Sequence, residues 1–277
     1  MVQACELLNG LRQGSGRRAV TPRVLIVAAH PDDDVLGAGG LLCALAPDVA
    51  IAFVTDGAPR NPRSYRDAGF ESREALAMTR RIETRKALAL AGVDVDNIHE
   101  LGAVDQEVAL EIPRLSGALV ALILRLSPDV LISHPYEGGH PDHDATALAV
   151  HAALVLAHRA GRLTPALLEF ASYHERDGEL VTGAFIPRPS SGEQALALDE
   201  PARALKAAML RCHESQAQML RQFALDVERF RVAPRYDFTA RPHDALYYER
   251  FDWGMTGERF VCIARAALSA LRIEGPC

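Results

Sequence analysis

Five consecutive apolar residues, Val24-Leu25-Ile26-Val27-Ala28, form a run too short for a helix and apolar at odd and even positions alike. A strand covered on both faces needs that pattern, so the run predicts a buried parallel strand. After the polar stretch His30 to Asp34, Val35 to Leu45 reads as a helix. Val49 to Val54 is a second apolar run, closed by Thr55-Asp56-Gly57. Ala58 to Phe70, with Pro59, Pro62, Arg60, Arg63 and Arg66, predicts a loop. Glu71 to Ala91 is rich in helix formers, with Ala75, Met78, Ile82 and Ala89 as its apolar side and Gly92 as its stop. Ile98 to Leu101 predicts a short strand, Ile112 to Leu126 a helix, and Asp129 to Ser133 a buried strand ending at His134-Pro135. Pro141 can open a further helix, with Leu148, Ala152, Val155 and Leu156 as its stripe. Leu167 to Tyr173 predicts a fifth strand. Beyond it the pattern weakens to a strand at Ala195 to Leu198 and a helix from Pro201 to Phe223.

Strands alternating with helices imply an α/β fold: a three-layer, Rossmann-like, mostly parallel sheet with helices on both faces. Residues 175–277 read as a C-terminal α+β extension packed on the same core, and a length of 277 residues suits one domain. Residues 1–20, which include the polar segment Gly10 to Arg18, predict a flexible tail. In such sheets, sites form beyond the carboxyl ends of the strands.

Composition narrows the partners. A net charge of −6 with no Lys/Arg block argues against nucleic acid. No apolar run approaches the roughly 18 residues of a membrane span. Cys5, Cys43, Cys212, Cys262 and Cys277 are scattered and never form C-x-x-C, which opposes a thiolate zinc site or disulfide framework and suits a reducing cytoplasm. A homo-oligomer stays open.

The chemistry concentrates at two strand ends. Ala29-His30-Pro31-Asp32-Asp33-Asp34 follows the first strand, and three carboxylates crowded into one turn repel one another unless a cation relieves them. His140-Pro141-Asp142-His143 follows the Asp129 to Ser133 strand, so both clusters face one crevice. A hydrolytic zinc needs about three N/O ligands and an open position for water. His30, one aspartate and His143 meet that need.

These motifs, with Leu101-Gly102-x-x-Asp105-Gln106 between them, resemble the LmbE-like or PIG-L-type N-acetylglucosaminyl deacetylases over roughly Val24 to Tyr173. The resemblance implies that His30, Asp33 and His143 bind Zn2+, that Asp32 is the general base acting on a zinc-activated water, and that His140 stabilises the oxyanion. Adjacent aspartates in a tight turn point in different directions, which agrees with that division. The substrate implied is an N-acetylated amino sugar or glycoconjugate. Asp142, two residues from His140, is placed to orient that imidazole and hold it protonated. The chain departs from the family pattern at Asp34, where glutamate is usual, and at Gly138, where some members carry a mobile tyrosine and this chain has its nearest tyrosine at Tyr136.

Weaker signals complete the reading. Gly37-Ala38-Gly39-Gly40 lacks the third glycine of a dinucleotide loop and follows three aspartates, so helix–sheet packing explains it better. Arg81 and Asp105 are the candidate substrate contacts, while Arg80 and Glu83 are spaced as a solvated i,i+3 pair. His134 shapes its loop, and His151, His158 and His174 lie outside the clusters. Tyr247, Tyr248 and Trp253 suit core packing better than a sugar-stacking wall. Two competing readings are a non-haem iron oxygenase with a two-His-one-carboxylate site and a non-catalytic carbohydrate-binding protein.

Overall fold

The computed structural model describes residues 22–46, 49–188 and 192–277; the expected N-terminal tail lies outside them. Five parallel strands form the heart of one sheet: β1 (Val24–Ala28), β2 (Val49–Pro59), β3 (Ile98–Asp105), β4 (Val130–Ser133) and β5 (Ala166–Phe170). β9 (Val227–Val232) pairs antiparallel with β5, and β8 (Gln194–Ala197) antiparallel with β9. The order is β3-β2-β1-β4-β5-β9-β8, so the C-terminal third extends the same sheet. A hairpin of β6 (Tyr173–Arg176) and β7 (Glu179–Thr182) stands apart from it.

The chain winds outward from β1 through β2 to β3, then returns to place β4 on β1's other side. At such a reversal the loops leaving the two central strands diverge and open a crevice at their carboxyl ends. Both His/Asp motifs sit there.

Strand pleating divides the core. Leu25 and Val27 face one cluster, built with helices α4 (Ile112–Leu126), α5 (Pro141–Arg159) and α8 (Gly257–Ala270). Val24, Ile26 and Ala28 face the other, built with α1 (Asp33–Leu45), α3 (Arg73–Leu90) and α6 (Glu200–Arg211). Gly37 lets α1 lie close on the sheet: a Cβ there would come within 2.2 Å of the Phe170 ring.

Four expectations need correction. Ala58 to Phe70 is not all loop, because Asn61 accepts from the Arg63 amide and starts a short helix, α2 (Pro62–Asp67). The face of α3 predicted as buried is its outer one: Ala75, Met78, Ile82 and Ala89 are exposed, while Leu76, Arg80, Glu83, Thr84, Ala87 and Leu88 turn inward. The fifth strand stops at Phe170 and a separate one starts at Tyr173. The helix from Pro201 does not reach Phe223; it ends at Arg211, and a bend at Cys212-His213 leads to a short α7 (Ala217–Leu220). Among the described residues, no helix is long and apolar enough to cross a membrane.

Candidate metal centre and catalytic cavity

β1 delivers His30 to the crevice, and α1 begins three residues later. The turn between them is closed on itself: the Asp32 amide donates to the His30 carbonyl at 2.9 Å, and the Asp33 carboxylate accepts from the His30 amide at 2.8 Å. His134, at the end of β4, accepts from the Ala29 amide through Nε2 at 2.9 Å and so ties the two strand ends together.

Two ring nitrogens and the two oxygens of one carboxylate converge here. His30 Nδ1 lies 3.1 Å from Asp33 Oδ2, and His143 Nε2 lies 3.3 Å from both His30 Nδ1 and Asp33 Oδ1. Donors bound to a tetrahedral divalent metal at about 2.0–2.1 Å stand roughly 3.3 Å from one another, so the spacing fits such an ion. Several overlapping His/Asp groups in this cluster are close enough to hold a metal, among them His30-His140-His143 and Asp33-His134-His143. In these, His140 Nδ1 is occupied by the Asp142 amide and His134 Nε2 by that of Ala29. The far ring atoms of the two central histidines are also held: His30 Nε2 faces Asp142 at 3.3 Å and Asp105 at 3.4 Å, and His143 Nδ1 faces Ser172 Oγ at 3.3 Å. Such outer contacts fix the ring orientation of metal-binding histidines.

The electrostatics suit His143 and Asp33 as donors, whereas the carboxylates around His30 favour its protonated form, which gives up a proton when a cation binds. Burial drives the His143 imidazole down to about 4 despite Asp33, leaving it neutral. Burial opposes ionisation of Asp33, but His143 and His134 outweigh it and hold the carboxyl well below its ordinary range. At His30 burial is likewise outweighed, by Asp105, Asp142 and Asp33, and its pKa stands well above the usual one.

Asp32 points the other way. Arg80, 4% exposed, donates from Nη2 to Asp32 at 3.0 Å and from Nη1 to the Gly57 carbonyl at 2.6 Å. Gly57 has φ +68°, and a Cβ there would lie 2.6 Å from the guanidinium carbon, so only glycine lets the arginine pass. Burial raises the Asp32 pKa, Arg80 opposes the rise and Asp33 adds to it. The expected solvated Arg80–Glu83 pair is therefore absent: Glu83 is buried and accepts from Ser215. Arg81, one helical step of about 100° further round, leaves the cavity and pairs with Glu100 beside a neighbouring groove.

Asp142 also departs from expectation. Its carboxylate does not meet His140; it accepts from the Gln106 and Val108 amides at 2.6 and 3.2 Å and faces His30. The link to His140 runs through the backbone, because His140 is the N-cap of α5 and its Nδ1 accepts the Asp142 amide at 3.1 Å. An accepting Nδ1 places the proton on Nε2. Burial, with His30 and His143 adding to it, lowers the His140 pKa well below its ordinary value. The imidazole is thus a neutral Nε2–H donor, not a protonated one.

A cavity of about 500 Å3 opens over these groups, lined by His30, Asp32, Asp33, Arg80, Asp105, His140 and His143. Its outer wall contains Tyr173, Tyr247, Phe251, Trp253 and the Gln216, Gln218 and Gln222 side chains. Asp34 lies behind the site, fully buried, with burial and then Asp32 raising its pKa to about 8. Gly138 is compressed by Leu246, 2.5 Å from where its Cβ would stand. Tyr136 is buried among Tyr236, Phe238 and Phe260 and donates to the Ala240 carbonyl, away from the cavity. His151 and His174 are buried, His158 is exposed, and Tyr248 is in the core. Ser172, the glutamines and Phe251 were not identifiable as site residues from their spacing; Arg80 lines the cavity although its spacing favoured a solvated pair, and Trp253 and Tyr247 although their sequence context favoured core packing.

Residues 25–154 match a family model described as PIG-L, GlcNAc-PI de-N-acetylase. A probable N-acetyl-alpha-D-glucosaminyl L-malate deacetylase 2 of Bacillus anthracis is 31% identical over 157 residues, 56% of this chain and 69% of that protein. The chain belongs to the PIG-L family. Its fold is similar to that of solved proteins: the A40926 pseudoaglycone deacetylase superposes with a TM-score of 0.60 at 20% identity, covering 79% of this chain and 99% of that one. The 4-carboxy-2-hydroxymuconate hydratase of Pseudomonas putida is also similar, with a TM-score of 0.54 at 17% identity over 77% and 97% of the two chains. A deacetylase and a hydratase on one scaffold mean that the fold alone does not fix the reaction, which must be argued from the site.

Proposed function

We propose that the protein is a zinc-dependent N-deacetylase that removes an acetyl group from an N-acetylated amino sugar or its conjugate. The observation that carries this reading is the convergence of His30 Nδ1, Asp33 and His143 Nε2 at 3.1–3.3 Å, with Asp32 and His140 on either side. His30 Nδ1, Asp33 and His143 Nε2 would hold the metal. A zinc ion in such a site lowers the pKa of water and polarises a carbonyl. Asp32, fixed by Arg80, receives the proton of the attacking water and returns it to the departing amine. His140 donates from Nε2 to the oxygen that becomes negative as the amide carbon turns tetrahedral. Asp142 orients His30, and Asp105 offers a carboxylate to sugar hydroxyls.

The relative from Bacillus anthracis supports the amino sugar, and the family match supports amide hydrolysis over the oxygenase and non-catalytic readings. The lack of C-x-x-C spacing supports a cytoplasmic place of action. The test is incubation of zinc-replete protein with a panel of N-acetylated glycosides, measuring free acetate and new amine. Release of both in equal amounts is expected; none across the panel overturns the reading.

A further inference from the structure

The outer half of the cavity is built from residues outside the matched family segment. Tyr247, Phe251 and Trp253 come from the segment after β9, and they are locked to the catalytic loop: the Tyr247 amide donates to the Gly138 carbonyl at 2.8 Å. Arg250 clamps the same segment to the β6–β7 hairpin through Glu175 at 2.6 and 2.8 Å. Trp253 stands 4.8 Å from the His140 ring, Phe251 stacks on Trp253 at 4.4 Å, and Tyr247 meets Phe251 edge-on at 5.2 Å. Phe251 is 39% exposed, so the Phe251–Trp253 stack leaves part of its apolar face open to solvent at the cavity. Ser215, Gln216, Gln218 and Gln222 line the same cavity, with the Gln216 amide nitrogen held by Ser215 and that of Gln222 by Met219. Stacked aromatic rings in a cavity that is also lined by glutamines suit a flat ring that carries hydroxyls.

Charge sharpens the choice. Among the described residues lining the cavity, Arg80 is the sole permanent cation, and it is committed to Asp32 and the Gly57 carbonyl. Asp32, Asp33 and Asp105 line the same space. A divalent ion at Asp33 would offset much of that negative charge at the reacting end, but at the aromatic wall the nearest cation among the described residues, Arg250 at 5.8 Å from the Tyr247 ring, is committed to Glu175, so a carboxylate or phosphate on the aglycone would meet no uncommitted cation there. A volume of about 500 Å3 lies within the roughly 300–1,000 Å3 of pockets that enclose drug-sized ligands, so more than the reacting sugar is accommodated.

Resting on the deacetylase reading, we propose that Tyr247, Phe251 and Trp253 form a subsite for an uncharged second sugar, attached to the amino sugar that is deacetylated, and that this subsite selects against anionic aglycones. Trp253 is the only tryptophan in the chain, so its fluorescence reports occupancy without turnover. The experiment uses the zinc-replete full chain and three N-acetylglucosaminides: the methyl glycoside, N,N'-diacetylchitobiose, and a glycoside with a carboxylate-bearing aglycone. The disaccharide is expected to shift the Trp253 emission and to bind roughly tenfold more tightly than the methyl glycoside, with the carboxylate compound weakest. Phe251→Ala, which keeps the reporter, should collapse the disaccharide-to-methyl ratio towards one. A saturable, disaccharide-selective signal without acetate release supports the subsite and removes the deacetylase reading. Acetate release with no disaccharide preference, a preference for the carboxylate compound, a ratio unchanged in Phe251→Ala, or no fluorescence response to any ligand each overturns the subsite.

Discussion

Asp32 and Arg80 show how a single residue pair sets the chemistry. A carboxylate buried beside Asp33 resists ionisation, and the guanidinium 3.0 Å away counters that tendency while fixing the oxygen's direction. Asp32→Asn keeps the shape but cannot accept a proton, so zinc content should stay near one per chain while kcat falls by roughly two to four orders of magnitude. Metal analysis beside acetate kinetics checks both. His143→Ala should lose the metal itself; stoichiometric zinc in that variant would remove His143 from the ligand set. Gly57→Ala attacks the pair indirectly, because its Cβ occupies the guanidinium's path at a positive φ. It should lower both stability, by about 1–2 kcal/mol, and kcat, read by urea unfolding and turnover.

At the scale of elements, the two catalytic helices each start with a motif that serves local structure and chemistry together. His140 caps α5 through Nδ1 and presents Nε2–H to the cavity. Asparagine can cap as well but does not reach as far. His140→Asn should therefore keep unfolding stability within about 0.5 kcal/mol while activity drops sharply, whereas His140→Ala should also lose about 1 kcal/mol. Equal stability of the two variants would mean that the cap contributes nothing. The same elements explain what the sequence made legible. β1 and β4 are apolar on both faces and can only be interior strands, so the position of both motifs follows from pattern alone. The orientation of α3 does not, because its inward stripe carries Arg80 and Glu83, whose partners lie far along the chain, and Thr84, whose hydroxyl donates back to the Arg80 carbonyl. Periodicity counts them as solvent-facing. Asp142 escaped for a related reason: spacing brings it near His140, but the turn after β3 supplies amides that take its carboxylate instead.

The whole molecule couples its stability to pH through groups buried on both sides of the sheet. His213, at the bend after α6, is fully buried with both ring nitrogens lacking a hydrogen bond, and burial, with Arg80 nearby, lowers its pKa to about 3. On the opposite side, burial raises Glu169 to about 7 even though Arg231 donates to it at 2.7 Å. An unfolded histidine takes up a proton as pH falls through about 6.5, but the folded His213 does not until about 3. In that window the unfolded chain binds more protons, so the stability given by the neutral ring is complete above 6.5 and lost as pH falls. Glu169 has the opposite sign. The folded state holds its proton up to about 7 and the unfolded state only to about 4.5, so its contribution is lost as pH rises through that window. Because the slopes oppose each other, the wild-type curve alone hides both, and the differences between variants reveal them. Relative to His213→Phe, the wild type should lose up to ~1.4 kcal/mol per pH unit on acidification below 6.5. Relative to Glu169→Gln, it should lose stability as pH rises from 4.5 to 7. Urea midpoints at half-unit steps give both differences, and a flat His213→Phe difference would show that the folded protein lets water or a proton reach that ring.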